Sequence, residues 1–122
     1  VDASTGNGKL TYPIALMTAD EIAYAGGVAF ENAPMWYYTN SSLESSTGTR
    51  MWWSLSPVRL VGRNAFSWYV FGSDDPGFLG NIDVYDSNGV RPVVSLKSCI
   101  KYSTGNGTSE TPYEIVETSS GC

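Results

Sequence analysis

Four aspartates lie close together in the second half of the chain, with Asn81 and Asn88 among them. Carboxylate, amide and backbone carbonyl oxygens are the ligands that Ca²⁺ prefers in proteins. The cluster is therefore a candidate calcium site, and we predict no other cofactor. The spacing does not match an EF-hand loop, and solvated aspartates in turns would explain the same pattern. The candidate metal ligands are Asp74, Asp75, Asp83 and Asp86.

The chain contains no histidine. This removes the commonest general base and the imidazole metal ligands. Asp20 and Glu21 are adjacent carboxylates, but together with Thr18 they form the pattern of a helix capping box, which accounts for them without acid-base chemistry. We therefore predict that the protein is not an enzyme and has no catalytic residue.

A set of aromatic and arginine side chains is the candidate ligand-binding surface. Tryptophan and tyrosine rings can stack on sugars or on peptide side chains, and neighbouring polar groups can hydrogen-bond at their edges. The alternative is that most of these rings fill the core of a small β-rich domain. The candidate binding residues are Arg59, Arg63, Phe66, Trp68, Tyr69, Phe78 and Tyr85.

Charge and cysteine content limit the partners and the compartment. The formal net charge is −5 and the basic residues are scattered, so we predict no nucleic-acid partner. No apolar run is long enough to span a bilayer. Cys99 and Cys122 suggest a disulfide formed outside the cytoplasm, hence an extracellular or cell-surface location. Two unrelated thiols, or pairing with a cysteine outside this sequence, would be the alternatives.

The 122 residues suit one domain, residues 1–122, built around two strands. Met51–Pro57 carries two adjacent tryptophans that should point to opposite faces of a strand, which Pro57 is expected to end. Gly89–Leu96 should supply a second buried strand. Thr18 should begin a short helix that ends at Gly26 and Gly27.

The remaining elements are shorter. Phe30–Thr49 reads as a long surface loop with an aromatic anchor. Ala65–Phe71 should be a central strand buried on both faces, and Ile82–Asp86 a further strand, so that an antiparallel meander leads into Gly89–Leu96. Pro112–Val116 is predicted to add a last edge strand.

Four segments together resemble a known family. They are Thr18–Gly27 (TADEIAYAGG), Met51–Pro57 (MWWSLSP), Asn64–Val70 (NAFSWYV) and Gly89–Lys97 (GVRPVVSLK). They are similar to C-type-lectin-fold domains of bacterial extracellular and pilin-like proteins, which are distant relatives of formylglycine-generating enzymes and retroelement-diversified variable proteins.

The resemblance implies an α+β C-type lectin fold, in which a short helix packs on a twisted antiparallel sheet with long loops. Ligand contacts would lie between Arg59 and Asn88, and the cysteines do not match the active-site pair of formylglycine-generating enzymes. It also implies that a native N-terminal segment precedes this chain. The expected function is recognition or adhesion through a protein or glycan ligand. The alternative is a structural pilin-like subunit that self-assembles into a surface filament.

Overall fold

The computed structural model describes residues 14–33, 35–39 and 50–116. Over these residues the protein is mostly β-structure, in three small sheets, with one short α-helix, which makes the fold α+β-like. None of the helices in the described ranges has the length and apolar character needed to cross a bilayer. The elements are β1 (Ile14–Leu16), α1 (Ala19–Tyr24), β2 (Val28–Ala29), a 3-10 turn (Trp36–Tyr38), β3 (Met51–Val61), β4 (Asn64–Phe71), β5 (Phe78–Asp83), β6 (Pro92–Val94), β7 (Tyr102–Thr104) and β8 (Glu114–Ile115).

The largest sheet has four strands in the order β2-β5-β4-β3. The last three form the antiparallel meander that the sequence predicts, while β2 pairs with β5 in parallel. β4 is central, as predicted, but most of its residues are only half-buried. The prediction that the meander continues into the following strand is wrong, because β6 pairs with β1 in a separate two-stranded sheet.

The prediction that Pro57 ends its strand is also wrong. β3 continues to Val61, and its register against β4 shifts on either side of Pro57. A proline lacks the N–H that a ladder needs, but an edge strand with a bulge tolerates it. β3 lies at the edge of the sheet, so the chain can pass through Pro57 without losing a hydrogen bond to β4.

Other strand boundaries differ from prediction too. β5 runs from Phe78 to Asp83, earlier than the predicted Ile82–Asp86 strand, and Val84 and Tyr85 lie in a turn. β6 is short, and Val94 and Leu96 are exposed, so the Gly89–Leu96 segment is not a buried strand. The predicted last strand exists as β8, which pairs with β7.

The helix begins as the sequence predicts. The Thr18 hydroxyl accepts a hydrogen bond from the Glu21 amide at 3.2 Å, and a Glu21 carboxylate oxygen accepts one from the Thr18 amide at 2.8 Å. These two bonds satisfy amide groups that have no partner within the first turn. Gly26, with φ of 95°, follows the C-cap residue Ala25 and lets the chain reverse.

The core lies between α1 and one face of the sheet. Its buried residues come from the helix, the 3-10 turn and three strands, so each of these elements contributes to one cluster. Trp52 is buried and Trp53 is half-buried, which agrees with the expected alternation of the two tryptophans across the sheet. The core residues are Ile22, Tyr38, Trp52, Val70 and Leu79.

Candidate functional site

The β3-β4 hairpin carries the candidate site at its end. Val61 pairs with Asn64 across a two-residue turn of Gly62 and Arg63. Gly62 has φ of 62° and Arg63 does not have a positive φ, as expected for the type II′ turn that suits the twist of a β-hairpin. Leu60 is 72% exposed, so this end of the hairpin presents apolar and cationic side chains together.

A first cavity lies where the hairpin turn meets the turn after β5, and we call it the turn groove. It is open to solvent and has a volume of about 540 Å³. The turn after β5 is held by two hydrogen bonds to Asp83, from the Tyr85 amide to the side chain and from the Asp86 amide to the carbonyl. Arg63 and the two aspartates give the groove a mixed charge. Its lining residues are Arg63, Asn64, Ala65, Asp83, Val84, Tyr85 and Asp86.

A second cavity, the strand groove, adjoins the first through Ala65 and Val84, and its volume is about 580 Å³. The guanidinium carbon of Arg59 lies 5.2 Å from the centroid of the Phe66 ring, within the range of a cation-π contact. Most of the other lining side chains are apolar. The groove is lined by Leu55, Pro57, Val58, Arg59, Leu60, Ala65, Phe66, Ser67 and Val84.

The structure brings together four of the seven predicted binding residues and separates the other three. Arg59 and Phe66 line the strand groove, and Arg63 and Tyr85 line the turn groove. Tyr85 is 94% exposed, so its ring is available to a ligand. The other three are Trp68, Tyr69 and Phe78, which line neither groove.

The three separated aromatics are half-buried in the sheet. The Trp68 ring packs against the core cluster and lies 5.6 Å from the Phe30 ring. The Phe78 ring meets the Phe71 ring edge-on at 5.8 Å. Burial raises the pKa of the Tyr69 phenol. For these residues the structure favours the alternative that the sequence left open, in which the rings stabilise the sheet.

The four predicted calcium ligands are not gathered into one group. Asp83 and Asp86 line the turn groove, whereas Asp74 forms an ion pair with Arg50. Within residues 14–33, 35–39 and 50–116, no group of three or more His, Cys, Asp or Glu residues could hold a metal ion. The calcium prediction therefore gains no support from the described residues.

Arg91 connects the segment that leads into β6 with Tyr37 of the 3-10 turn and with Trp52 of β3. Its Nη2 donates to the Tyr37 carbonyl at 2.6 Å, and its guanidinium carbon lies 5.0 Å from the Trp52 ring. Burial lowers the pKa of Arg91 and, together with the nearby Tyr37 phenol, raises the pKa of Tyr38 to about 12. These contacts are structural: Arg91, which directly precedes β6, ties the start of that strand to Trp52 and to the 3-10 turn.

Sequence reasoning missed the aliphatic part of the site. Leu55, Leu60 and Val84 line the strand groove, but aliphatic residues in β-prone segments are equally typical of a core. The available signal was the run Val58–Val61, which continues β-prone residues past Pro57 up to a Gly-Arg turn. The predicted Cys99–Cys122 disulfide stays a prediction, because Cys122 lies outside the described residues.

We compared the chain with models of known protein families, with curated proteins and with solved structures. None of the three comparisons gives a match.

Proposed function

We propose that this chain is a non-enzymatic recognition domain of C-type lectin fold, displayed outside the cell. In this proposal, the two grooves at the end of the β3-β4 hairpin hold a protein or glycan ligand. The observation that carries it is the combination of exposed apolar side chains, Arg59, Arg63 and an exposed tyrosine around two adjoining open cavities. Exposed apolar patches rimmed by polar groups are typical of binding surfaces.

The fold part of the proposal draws on how the resembling segments meet. α1 packs on one face of an antiparallel meander. The Trp53 amide donates to the Gly89 carbonyl at 3.0 Å, and Arg91 lies over Trp52. The two motifs thus build one structural unit, as scaffold motifs of such a fold should. Apart from Leu55, Pro57 and Val58, the residues that line the grooves lie between Arg59 and Asn88, which is where the resemblance places ligand contacts.

The test is a binding screen with two matched tyrosine variants. The purified chain is applied to a glycan array and to a panel of cell-surface proteins, and any ligand found is titrated by surface plasmon resonance. Tyr85→Ser removes a ring that is 94% exposed in the turn groove, and Tyr24→Ser removes one that is 96% exposed on the helix. We expect Tyr85→Ser to weaken binding by about tenfold or more.

The helix variant is the control. Tyr24→Ser should leave affinity unchanged, and neither variant should lower the melting temperature appreciably, because neither ring is buried. A ligand that binds both variants as tightly as the unmodified chain would show that the turn groove is not the binding site. A folded chain that binds nothing in either screen would contradict the recognition function.

A second candidate function is supported by a different surface. The β1-β6 sheet exposes the cross-strand pair Ile14 and Val94, with Val90 and Leu96 nearby in sequence. Such a face would suit a structural pilin-like subunit that self-assembles into a filament. Sedimentation velocity distinguishes the two functions: association lost in Val94→Ser and kept in Tyr85→Ser would favour the filament subunit.

A further inference from the structure

Arg59 is held in place but retains its hydrogen-bonding capacity. Its backbone pairs with Phe66 and its guanidinium lies over the Phe66 ring. Within the described part of the chain it forms no ion pair. The contact with the ring leaves guanidinium N–H groups without an ion-pair partner in the described residues, and a guanidinium can donate two of them to the two oxygens of a carboxylate. Because the ring contact already restricts the side chain, less conformational entropy is lost when a ligand binds.

The surroundings of Arg59 select against a sugar. None of the residues that line the strand groove is acidic, and the other polar side chain there is that of Ser67. The Ser67 hydroxyl already donates to the Ser56 carbonyl at 2.9 Å. A sugar buried in this groove would leave several hydroxyls without partners, which is costly. An apolar side chain beside a carboxylate would satisfy both the aliphatic lining and the cation.

The groove lies next to an open edge of the sheet. In a two-residue hairpin, Val61 and Asn64 form the last hydrogen-bonded pair, so the N–H and C=O of Leu60 point away from β4. In the described ranges, backbone hydrogen bonds on this side of β3 end at Leu55, whose amide donates to the Met17 carbonyl. An extended segment can pair with such an edge. Pro57 confines the pairing to Val58–Val61.

From these three features we infer that the strand groove binds a short extended segment of a partner protein, which presents a carboxylate to Arg59 and a bulky apolar side chain to the groove. The inference rests on the proposed function, because it names the ligand class of the same site. Charge complementarity supports this occupant: the chain as a whole carries a formal charge of −5, yet this groove is lined by one arginine and no acid.

The experiment measures binding of two pools of short fluorescent peptides by anisotropy. Both pools carry Leu, Ile, Val or Phe at alternate positions, and they differ in having Glu or Gln at the centre. The Glu pool should bind with Kd on the order of 10 μM, since the contact surface is small. The Gln pool should bind about tenfold more weakly, because a charge-assisted hydrogen bond is replaced by a neutral one.

Three variants of the chain locate the effect. Arg59→Gln should weaken binding of the Glu pool by about tenfold, and Arg59→Lys should be intermediate, because lysine keeps the charge but loses the two-pronged geometry. Lys101→Gln is the matched control. It removes one positive charge from an exposed residue that lines neither groove, and it should leave the affinity unchanged. Thermal melts confirm that each variant is folded.

The outcomes separate this inference from the proposed function. Equal binding of the Glu and Gln pools, or unchanged binding by Arg59→Gln, would overturn the inference. The inference would also be overturned if neither peptide pool bound while a glycan or protein ligand bound the unmodified chain and not Tyr85→Ser. The proposed function would stand in that case. If the folded chain binds no peptide, glycan or protein, both proposals fail.

Discussion

Replacing Gly77 by alanine should be among the most damaging small changes in this protein. Gly77 lies just before β5, with φ of 90°. Its carbonyl accepts the Val28 amide at 3.1 Å and its amide donates to the Phe71 carbonyl at 3.1 Å. A Cβ atom at this position would lie 2.4 Å from the Ala33 carbonyl oxygen and 3.0 Å from a ring carbon of Tyr38. The new methyl group would therefore collide with backbone and with a core ring.

The expected magnitude comes from two costs and one gain. A left-handed backbone costs a non-glycine residue about 1–2 kcal/mol. Restricting the unfolded chain returns about 0.4–1 kcal/mol. Forcing a methyl group into a filled space costs about 1–3 kcal/mol, and more where the obstacle is backbone. The free energy of unfolding of Gly77→Ala should therefore fall by about 2–4 kcal/mol.

Two other glycines provide matched controls. Gly62 has φ of 62° and its Cβ would meet nothing within 4 Å, so Gly62→Ala should cost only the backbone strain less the gain in the unfolded chain, about 0–1.6 kcal/mol. Gly26 has φ of 95°, close to that of Gly77, but its Cβ would meet the ends of the Met35 and Tyr37 side chains at 3.0 and 3.1 Å. Because these side chains can move, Gly26→Ala should fall between the other two variants.

Urea denaturation followed by tryptophan fluorescence gives the three free energies of unfolding. The slope with urea should be the same in all variants, so that differences in midpoint report stability. If Gly77→Ala lost no more stability than Gly26→Ala, the predicted clash between the new Cβ atom and the Ala33 carbonyl would be refuted. Gly77 would then not pack against Ala33 and Tyr38 in the folded protein.

Two further predictions concern the helix and the core. The pKa of Tyr38 is raised from 10.0 to about 12. Between these pH values the Tyr38 phenol keeps its proton in the folded state and loses it in the unfolded state, so the free energy of unfolding should fall by about 2–3 kcal/mol as the pH rises from 10 to 12. Tyr38→Phe should lose the hydrogen bond to the Ile22 carbonyl but depend less on pH in urea titrations; an equal dependence would assign the effect to other tyrosines. Thr18→Ala should lower the free energy of unfolding by about 1 kcal/mol, measured by thermal melts with Thr18→Ser as the control that retains the cap; equal losses in both would exclude the capping hydroxyl.

Local rules in the sequence predicted the helix and also account for the turns. The capping box at Thr18 and Glu21 is confirmed in every hydrogen bond that defines it. The turn at Gly62 and Arg63 and the turn that ends at Gly77 likewise contain residue types that favour turns, glycine in both and aspartate and proline in the second. These features depend on neighbouring residues alone, so the information that specifies them lies within a few positions of the chain.

Strand ends and strand partners were harder to predict, because both depend on distant residues. Pro57 lies in an edge strand, where its missing N–H costs nothing, and only the sheet order shows this. The pairing of β6 with β1 joins segments far apart in sequence. Residue type did not show which aromatic side chains would be exposed to a ligand. From type alone, Trp68 in the sheet and Tyr85 in a turn are equally plausible ligand contacts.

The sequence by itself determined the helix cap, the turns, the β-rich character and the absence of histidine chemistry, because composition and short-range hydrogen bonding decide them. Tertiary structure alone decided which of the candidate binding residues meet. The hairpin and the turn after β5 converge on Arg59, Arg63, Phe66 and Tyr85. Trp68, Tyr69 and Phe78 are taken into the packing of the sheet, because strand register determines which neighbours each ring contacts.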